Sequence, residues 1–159
     1  MNWHSLNGPM GGVVGDIAIN KDGVIFAGMY PLFQNGVYKS TDNGDSWEKV
    51  KTQFEDFAVY SIYITKTGNI WVGTDTHTLY RSTDNGITWE NKNIGFNTSE
   101  CWSIGESKDG VLFAGDADAG RLFRSTNGGD SWELSTNLDP LAFATDSNNT
   151  VYALSLIHI

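Results

Sequence analysis

The stretch STDNGDSW, Ser40–Trp47, returns as STDNGITW, Ser82–Trp89, and again as STNGGDSW, Ser125–Trp132. A string that recurs three times in 159 residues is architecture before it is a site, because a fixed period decides the fold. Between the closing tryptophans the period is 42 residues from Trp47 to Trp89 and 43 from Trp89 to Trp132. Trp3 lies 44 residues before Trp47, as the end of an earlier copy would. The units read from these markers are 3–46, 47–88, 89–131 and a partial 132–153.

Each unit carries the same parts in the same order. An alternating segment opens it: VVGDIAI, VYSIYIT and CWSIGES, with LAFATD a weaker fourth. A polar turn follows (NKDG, TKTG, SKDG, SNNT), then VIFAG, NIWVG, VLFAG or TVYAL. Period-two alternation and β-branched and aromatic content make these strands. GVYKS, TLYRS and RLFRS supply a third strand, and WEKV, WENKN and WELS a fourth across a tight turn. No unit shows the 3.6-residue period of an amphipathic helix. Four antiparallel strands per unit of 42–44 residues is the pattern of a propeller blade. The expected fold is all-β, a β-propeller of about three and a half four-stranded blades.

Composition narrows the partners. With 19 acidic and 10 basic residues the net charge is −9, and the cations are scattered, so a nucleic-acid footprint is not expected. No apolar run reaches the length of a transmembrane helix, and MNWHSLNGPMGG lacks the basic and apolar regions of a signal peptide. Cys101 is the single cysteine. It aligns with Val14 and Val59 in the first strand of the unit, which makes it a small core residue rather than a nucleophile.

The repeated motif, Ser-x-Asp-x-Gly-x-Ser/Thr-Trp, has the chemistry of a hairpin turn. Asp and Ser side chains bond nearby backbone groups, Asn-Gly permits positive φ, and the tryptophan packs on the blade. Ser40, Asp42, Gly44 and Trp47 form the first copy; Ser82, Asp84, Gly86 and Trp89 the second; Ser125, Asn127, Gly129 and Trp132 the third. The functional alternative makes Asp42 and Asp84 calcium ligands or catalytic acids. DNGD lacks the alternating oxygens of a calcium loop, and Asn127 replaces the aspartate while the turn is kept. The motif therefore reads as scaffold, and no metal or cofactor is expected.

The motif resembles the Asp-box, or bacterial neuraminidase repeat, and the resemblance extends over nearly the whole chain at the level of its repeats. Sialidases, xyloglucan-degrading hydrolases, sortilin-type receptors, photosystem II assembly factors and secreted bacterial surface arrays share it. It implies that the motif turns lie on the face opposite any substrate pocket. If so, the other face carries the loops between strands two and three and the connections between blades. Those segments hold Tyr30, Phe33, Phe54, Glu55, Asp56, Phe57, Asp75, His77, Phe96, Glu100, Asp116 and Asp118. Carboxylates interleaved with aromatic rings suit a sugar cleft, and solvated acidic loops with a few packing rings are the plainer reading. Asp116 and Asp118 are spaced like the start of a calcium loop without its remaining ligands. His77 has no partner within its loop and reads as a surface histidine.

The enzyme readings find little to hold. The sialidase resemblance implies an arginine triad, a Tyr/Glu nucleophile pair and an Asp acid/base. The arginines here are Arg81, Arg121 and Arg124, and Arg81 and Arg124 fill one repeated slot before the motif, also occupied by Lys39. Xyloglucan-type hydrolysis needs two opposed acids across a cleft between two propellers. No catalytic residue carries over from either family.

The expected function is a non-catalytic binding module, probing carbohydrate or protein, of an exported or cell-surface bacterial protein, either extracellular or periplasmic. The competing expectation is a piece of a glycoside hydrolase whose catalytic residues lie outside this chain. A propeller ring takes four to eight blades, so the chain is expected to be a fragment of a larger ring. LSLIHI, residues 154–159, breaks the repeat and matches the in-frame translation of a transposase adapter used in sequencing libraries, so it is expected to be foreign sequence.

Overall fold

A computed structural model describes residues 8–9, 12–30, 34–76, 78–116 and 120–155. Its strands run in chain order through consecutive antiparallel sheets. The first blade holds β1 (Val13–Ile19), β2 (Ile25–Tyr30), β3 (Gly36–Ser40) and β4 (Glu48–Lys49). The second holds β5 (Val59–Ile64), β6 (Ile70–Thr74), β7 (Thr78–Ser82) and β8 (Glu90–Asn91). The third holds β9 (Ser103–Glu106), β10 (Leu112–Asp116), β11 (Arg121–Ser125) and β12 (Glu133–Thr136). A hairpin of β13 (Pro140–Thr145) and β14 (Val151–Ser155) begins a fourth. The chain is thus a β-propeller of three four-stranded blades and a half blade.

Several strand boundaries differ from the sequence reading. The fourth strands were expected to start at the motif tryptophans, but Trp47, Trp89 and Trp132 each precede the strand, and β4 and β8 keep only two residues each. Each indole N–H is spent on a carbonyl in the turn or connection, Gly44 for Trp47, Gly86 for Trp89 and Lys92 for Trp132. Leu154 and Ser155 continue β14, while Trp3 and residues 156–159 lie outside the described residues.

The apolar cores lie between blades rather than within them. One cluster joins Phe26 and Val37 of the first blade to Val59, Ile62, Ile70, Val72, Tyr80 and Trp89 of the second. The next joins Trp71 and Leu79 of the second to Ile104, Leu112, Phe123 and Trp132 of the third. Each is plugged by a phenylalanine from the connection. Phe54 stacks on Tyr80 at 4.3 Å and meets Trp89 edge-on at 5.3 Å. Phe96 meets Phe123 at 4.5 Å and Trp132 at 5.9 Å.

Nearer the axis, the first strands β1, β5, β9 and β13 pack side by side. Here the glycine ending each FAG or WVG sequence has a defined reason. A Cβ on Gly28 would lie 2.3 Å from Val59 Cγ1, one on Gly73 2.4 Å from the Cys101 carbonyl, and one on Gly115 2.3 Å from Pro140 Cγ. The next blade's first strand occupies the space of the missing side chain. Cys101 therefore stands where Val59 and Pro140 stand, fully buried, with burial pushing its thiol up to about 12. Leu154 stands at the glycine position of the fourth blade, paired with Ala142 as Gly73 is with Ser61, and is exposed.

Replacing Phe54 by Ala removes the plug between two blades and is expected to cost ~3–5 kcal/mol in urea unfolding. Ile94→Ala, on an exposed side chain of the equivalent connection, should stay within ~0.5 kcal/mol. Equal, small losses at both positions would mean that the blades do not depend on this packing.

Candidate functional site

The motif turns are closed hydrogen-bond nets. Ser40 Oγ donates to Asp42 Oδ1 and accepts from Gly44 N–H, both at 2.8 Å. The Asp42 carboxylate accepts the N–H and the hydroxyl of Ser46. Asn43 and Gly44 take φ of 59° and 91°, the left-handed pair that lets the chain reverse here. Ser82, Asp84, Gly86 and Thr88 repeat the arrangement. In the third turn Asn127 Oδ1 accepts from Ser125 Oγ and Ser131 N–H, and its amide donates to Ser131 Oγ. An amide thus reproduces the net without a charge.

The side-chain hydroxyls of Ser46 and Thr88, followed by backbone N–H groups, lower the carboxyls of Asp42 and Asp84 to about 2. Acids ionised to that pH hold no proton to donate near neutrality. The turns also dock on the preceding blade. A Cβ on Gly86 would lie 3.1 Å from the Phe26 ring, and one on Gly129 2.0 Å from the Trp71 ring. Arg81 lies over Trp71 and donates to Gly128 O and Asp130 Oδ1 of the third turn, while Lys92 bridges Glu90 and Asp130. Arg124 pairs with Glu133, and Arg121 donates to Asn97 O. Arg81 therefore ties the second blade to the third, and the three arginines do not converge on one site.

Asn20 in the β1–β2 turn donates to Asn85 of the second motif turn, so both kinds of turn share one face. A shallow cleft of about 480 Å³ opens there between polar turns, without an aromatic side chain in its wall.

The opposite face carries the variable segments, and the structure divides their residues. Phe54 and Phe96 are buried plugs rather than ligand-facing rings, and Phe57 packs on the first core. Asp116 is fully buried at the end of β10 rather than on a loop surface, because its strand position matches Thr74, also fully buried. Glu55 is half-buried with its backbone against Gly36, and exposed Asp56 accepts from Asn35 through its carbonyl. Asp75 accepts the Ala58 N–H at 3.0 Å and so ties the interblade connection to β6. Phe33, His77 and Asp118 lie outside the described residues. Among the described residues no group of three or more His, Cys, Asp or Glu could hold a metal ion.

What the structure brings together is a ladder of rings at the axis. Tyr30, ending β2, lies 5.2 Å from Tyr60, and Tyr60 stacks on Trp102 at 4.3 Å with planes 7° apart. Tyr60 sits at a β-bulge in β5, where the register shifts between Val59 and Ser61, and Gly15 and Leu141 occupy the same bulge in β1 and β13. Trp102 precedes β9 at the matching place and donates its indole N–H to Glu100 Oε2 at 2.7 Å. A cavity of about 310 Å³ opens beside Tyr60 and Trp102, with Asp16, Ser61 and Ser103 in its wall. Asp16 Oδ2 accepts from Ile62 N–H, and Ser103 Oγ donates to Pro140 O, so this wall is fastened from blade to blade. Sequence reading took Tyr60 and Trp102 as ordinary strand residues. Their signal was a large ring at the second position of VYS and CWS, out of phase with the buried alternation.

The model of the Sortilin-Vps10 family, described as sortilin, neurotensin receptor 3, matches residues 35–156. No curated protein matches the chain. Among solved structures, an ancestral GH74 enzyme is 28% identical with a TM-score of 0.70, covering 95% of this chain and 23% of its own. YCF48 bound to D1 peptide is 14% identical with a TM-score of 0.71, covering 91% and 48%. The extracellular domain of a one-component system from B. thetaiotaomicron is 17% identical with a TM-score of 0.68, covering 89% and 20%. The chain thus spans less than half the length of each of these three proteins.

The motif carboxyls set an acid limb. Because Asp42 and Asp84 are lowered on folding, their contribution is present above the ordinary aspartate value, ~4, and is lost as pH falls through about 2. The double variant Asp42→Asn/Asp84→Asn, built like the third turn, should therefore show a shallower loss of stability between these values. Circular dichroism across acid titrations checks this; parallel limbs in both proteins would contradict it.

Proposed function

The chain belongs to the Sortilin-Vps10 family of β-propellers, and we propose that it works as a non-catalytic binding module of an exported or cell-surface bacterial protein. The observation that carries this reading is the division of labour between the two faces. The motif residues spend their polar groups on turns and blade docking, while the axial mouth presents half-buried rings beside a cavity. A carbohydrate or a protein segment is the ligand such a mouth suits, since flat rings cover apolar surface and the rim supplies acceptors. The bound peptide of YCF48 and the extracellular setting of the B. thetaiotaomicron domain support the same reading. The repeats are units of one ring under this proposal, and residues 154–159 are proposed as foreign sequence, although Leu154 and Ser155 complete β14. Leu154 standing where three blades carry glycine supports that boundary.

The second reading is a piece of a glycoside hydrolase, favoured by the 28% identity to an ancestral GH74 enzyme. It requires two opposed carboxyl groups flanking a glycosidic bond, which on this reading come from outside the chain.

Glycan and peptide arrays, followed by titration of whatever binds, decide between them. A ligand is expected whose affinity falls at least ~10-fold in Tyr60→Ala/Trp102→Ala and is unchanged in Asp84→Asn, a loss of ~1.4 kcal/mol. Turnover of fluorogenic glycosides by this chain, or binding indifferent to the mouth variant, would overturn the proposal.

A further inference from the structure

We propose that the axial mouth selects a cationic ligand, the Arg or Lys side chain of an extended peptide, seated against Tyr60 and Trp102 and faced by Glu100 and Asp16. The inference rests on the binding-module reading and names the class of ligand within it.

Three observations carry it. First, the ladder offers electron-rich ring faces, the part of an aromatic ring that attracts a cation, and Trp is the strongest such ring. Tyr30, Tyr60 and Trp102 are all half-buried, so an incoming cation is partly desolvated there and the attraction is less screened. Second, Glu100 is fixed to the edge of that ladder. Its Oε2 accepts the Trp102 indole N–H at 2.7 Å, which holds the carboxylate beside the ring instead of leaving it to wander in solvent. Among the described residues, Asp16 is the one charged residue in the wall of the 310 Å³ cavity, its carboxylate fastened by the Ile17 and Ile62 N–H groups. Third, among the described residues no Lys or Arg lines the cavity. Arg121 opens β11, a third strand, and is held by Asn97 O; Lys51 follows the outermost strand β4. With a net charge of −9, the field of the whole chain also draws cations and repels anions.

A neutral sugar would use the rings and could donate hydroxyl hydrogen bonds to the carboxylates but would gain nothing from their charge, and an acidic peptide would be repelled by them. That contrast makes the class testable.

The experiment is isothermal titration of the 159-residue chain with a tri-arginine amide peptide, with triglutamate and cellotriose as companion probes. Tri-arginine is expected to bind at one site. Glu100→Gln, which keeps an oxygen for the indole N–H and removes only the charge, should weaken it about 10-fold. Trp102→Ala should abolish binding, and Trp102→Phe should retain most of it, which separates loss of the ring from loss of the fold. Raising salt from roughly 0.05 to 0.3 M should weaken tri-arginine binding severalfold. Equal tri-arginine binding in wild type, Glu100→Gln and Trp102→Ala would reduce it to attraction by an acidic surface and overturn the inference. Cellotriose binding that is lost in Trp102→Ala, with tri-arginine inert, would overturn the cationic class while leaving the binding-module reading intact. Silence from all three probes also ends the cationic inference, and the array experiment then judges the wider reading on its own.

Discussion

The fit of one blade's first strand into the glycine of its neighbour's second strand sets the geometry on which everything else rests. At Gly28, Gly73 and Gly115 the space of a side chain is filled by Val59, Cys101 and Pro140 of the following blade. Close approach at this radius brings the first strands together, aligns their bulges and stacks the rings that project there. It also accounts for the burial of the chain's single cysteine, since its neighbours along the arc, a valine and a proline, stand in the same role. Farther out, the same blades are joined by apolar packing around Phe54 and Phe96 and by motif glycines pressed on Phe26 and Trp71. No blade owns its core, so stability belongs to interfaces between neighbours, the arrangement expected of repeat architectures.

The motif turns solve a different problem. A hairpin that reverses on one face leaves backbone donors that need partners. Ser, Asp and Ser/Thr side chains meet that need within eight residues of chain, and the third copy does the same with an amide. The β1–β2 turns follow their own rule. Asn20, Thr65, Ser107 and Asp146 each accept from the backbone N–H four residues on, and Asn149 takes the left-handed position that Gly23, Gly68 and Gly110 hold elsewhere. One face is therefore a set of self-satisfied turns linked by Asn20 to Asn85, Lys66 to Ser107 and Lys108 to Ser147. The variable face is left free to differ.

The blades were legible in the sequence because period, alternation and turn chemistry all repeat, and repetition survives differences in any single residue. The candidate site was much less so. Residues in the variable segments were chosen by position along the chain, and position does not distinguish a phenylalanine that plugs an interblade core from a ring at the axis. Phe54 and Phe96 went to the core because the motif tryptophans need a partner across the interface. Asp116 went inside because β10 extends to include it. Tyr60 and Trp102 were hidden by the opposite error: a bulge at Tyr60 breaks the period-two rule that assigns strand residues to a face, and Trp102 stands just ahead of β9. Among the described residues, Tyr30 and Glu100 are the sequence candidates that join the ladder they form.

The glycine contact also bears on how such a ring changes length over generations. A tandem copy of one unit carries both halves of the contact, the glycine that receives and the first-strand residue that enters. A duplicated blade therefore meets complementary surfaces on each side from the outset, without waiting for compensating substitutions. The rings at the axis have no such guarantee, because Gly15, Tyr60, Trp102 and Leu141 differ from blade to blade. Gain or loss of a blade would preserve the packing and rewrite the mouth, so recognition can diverge faster than architecture.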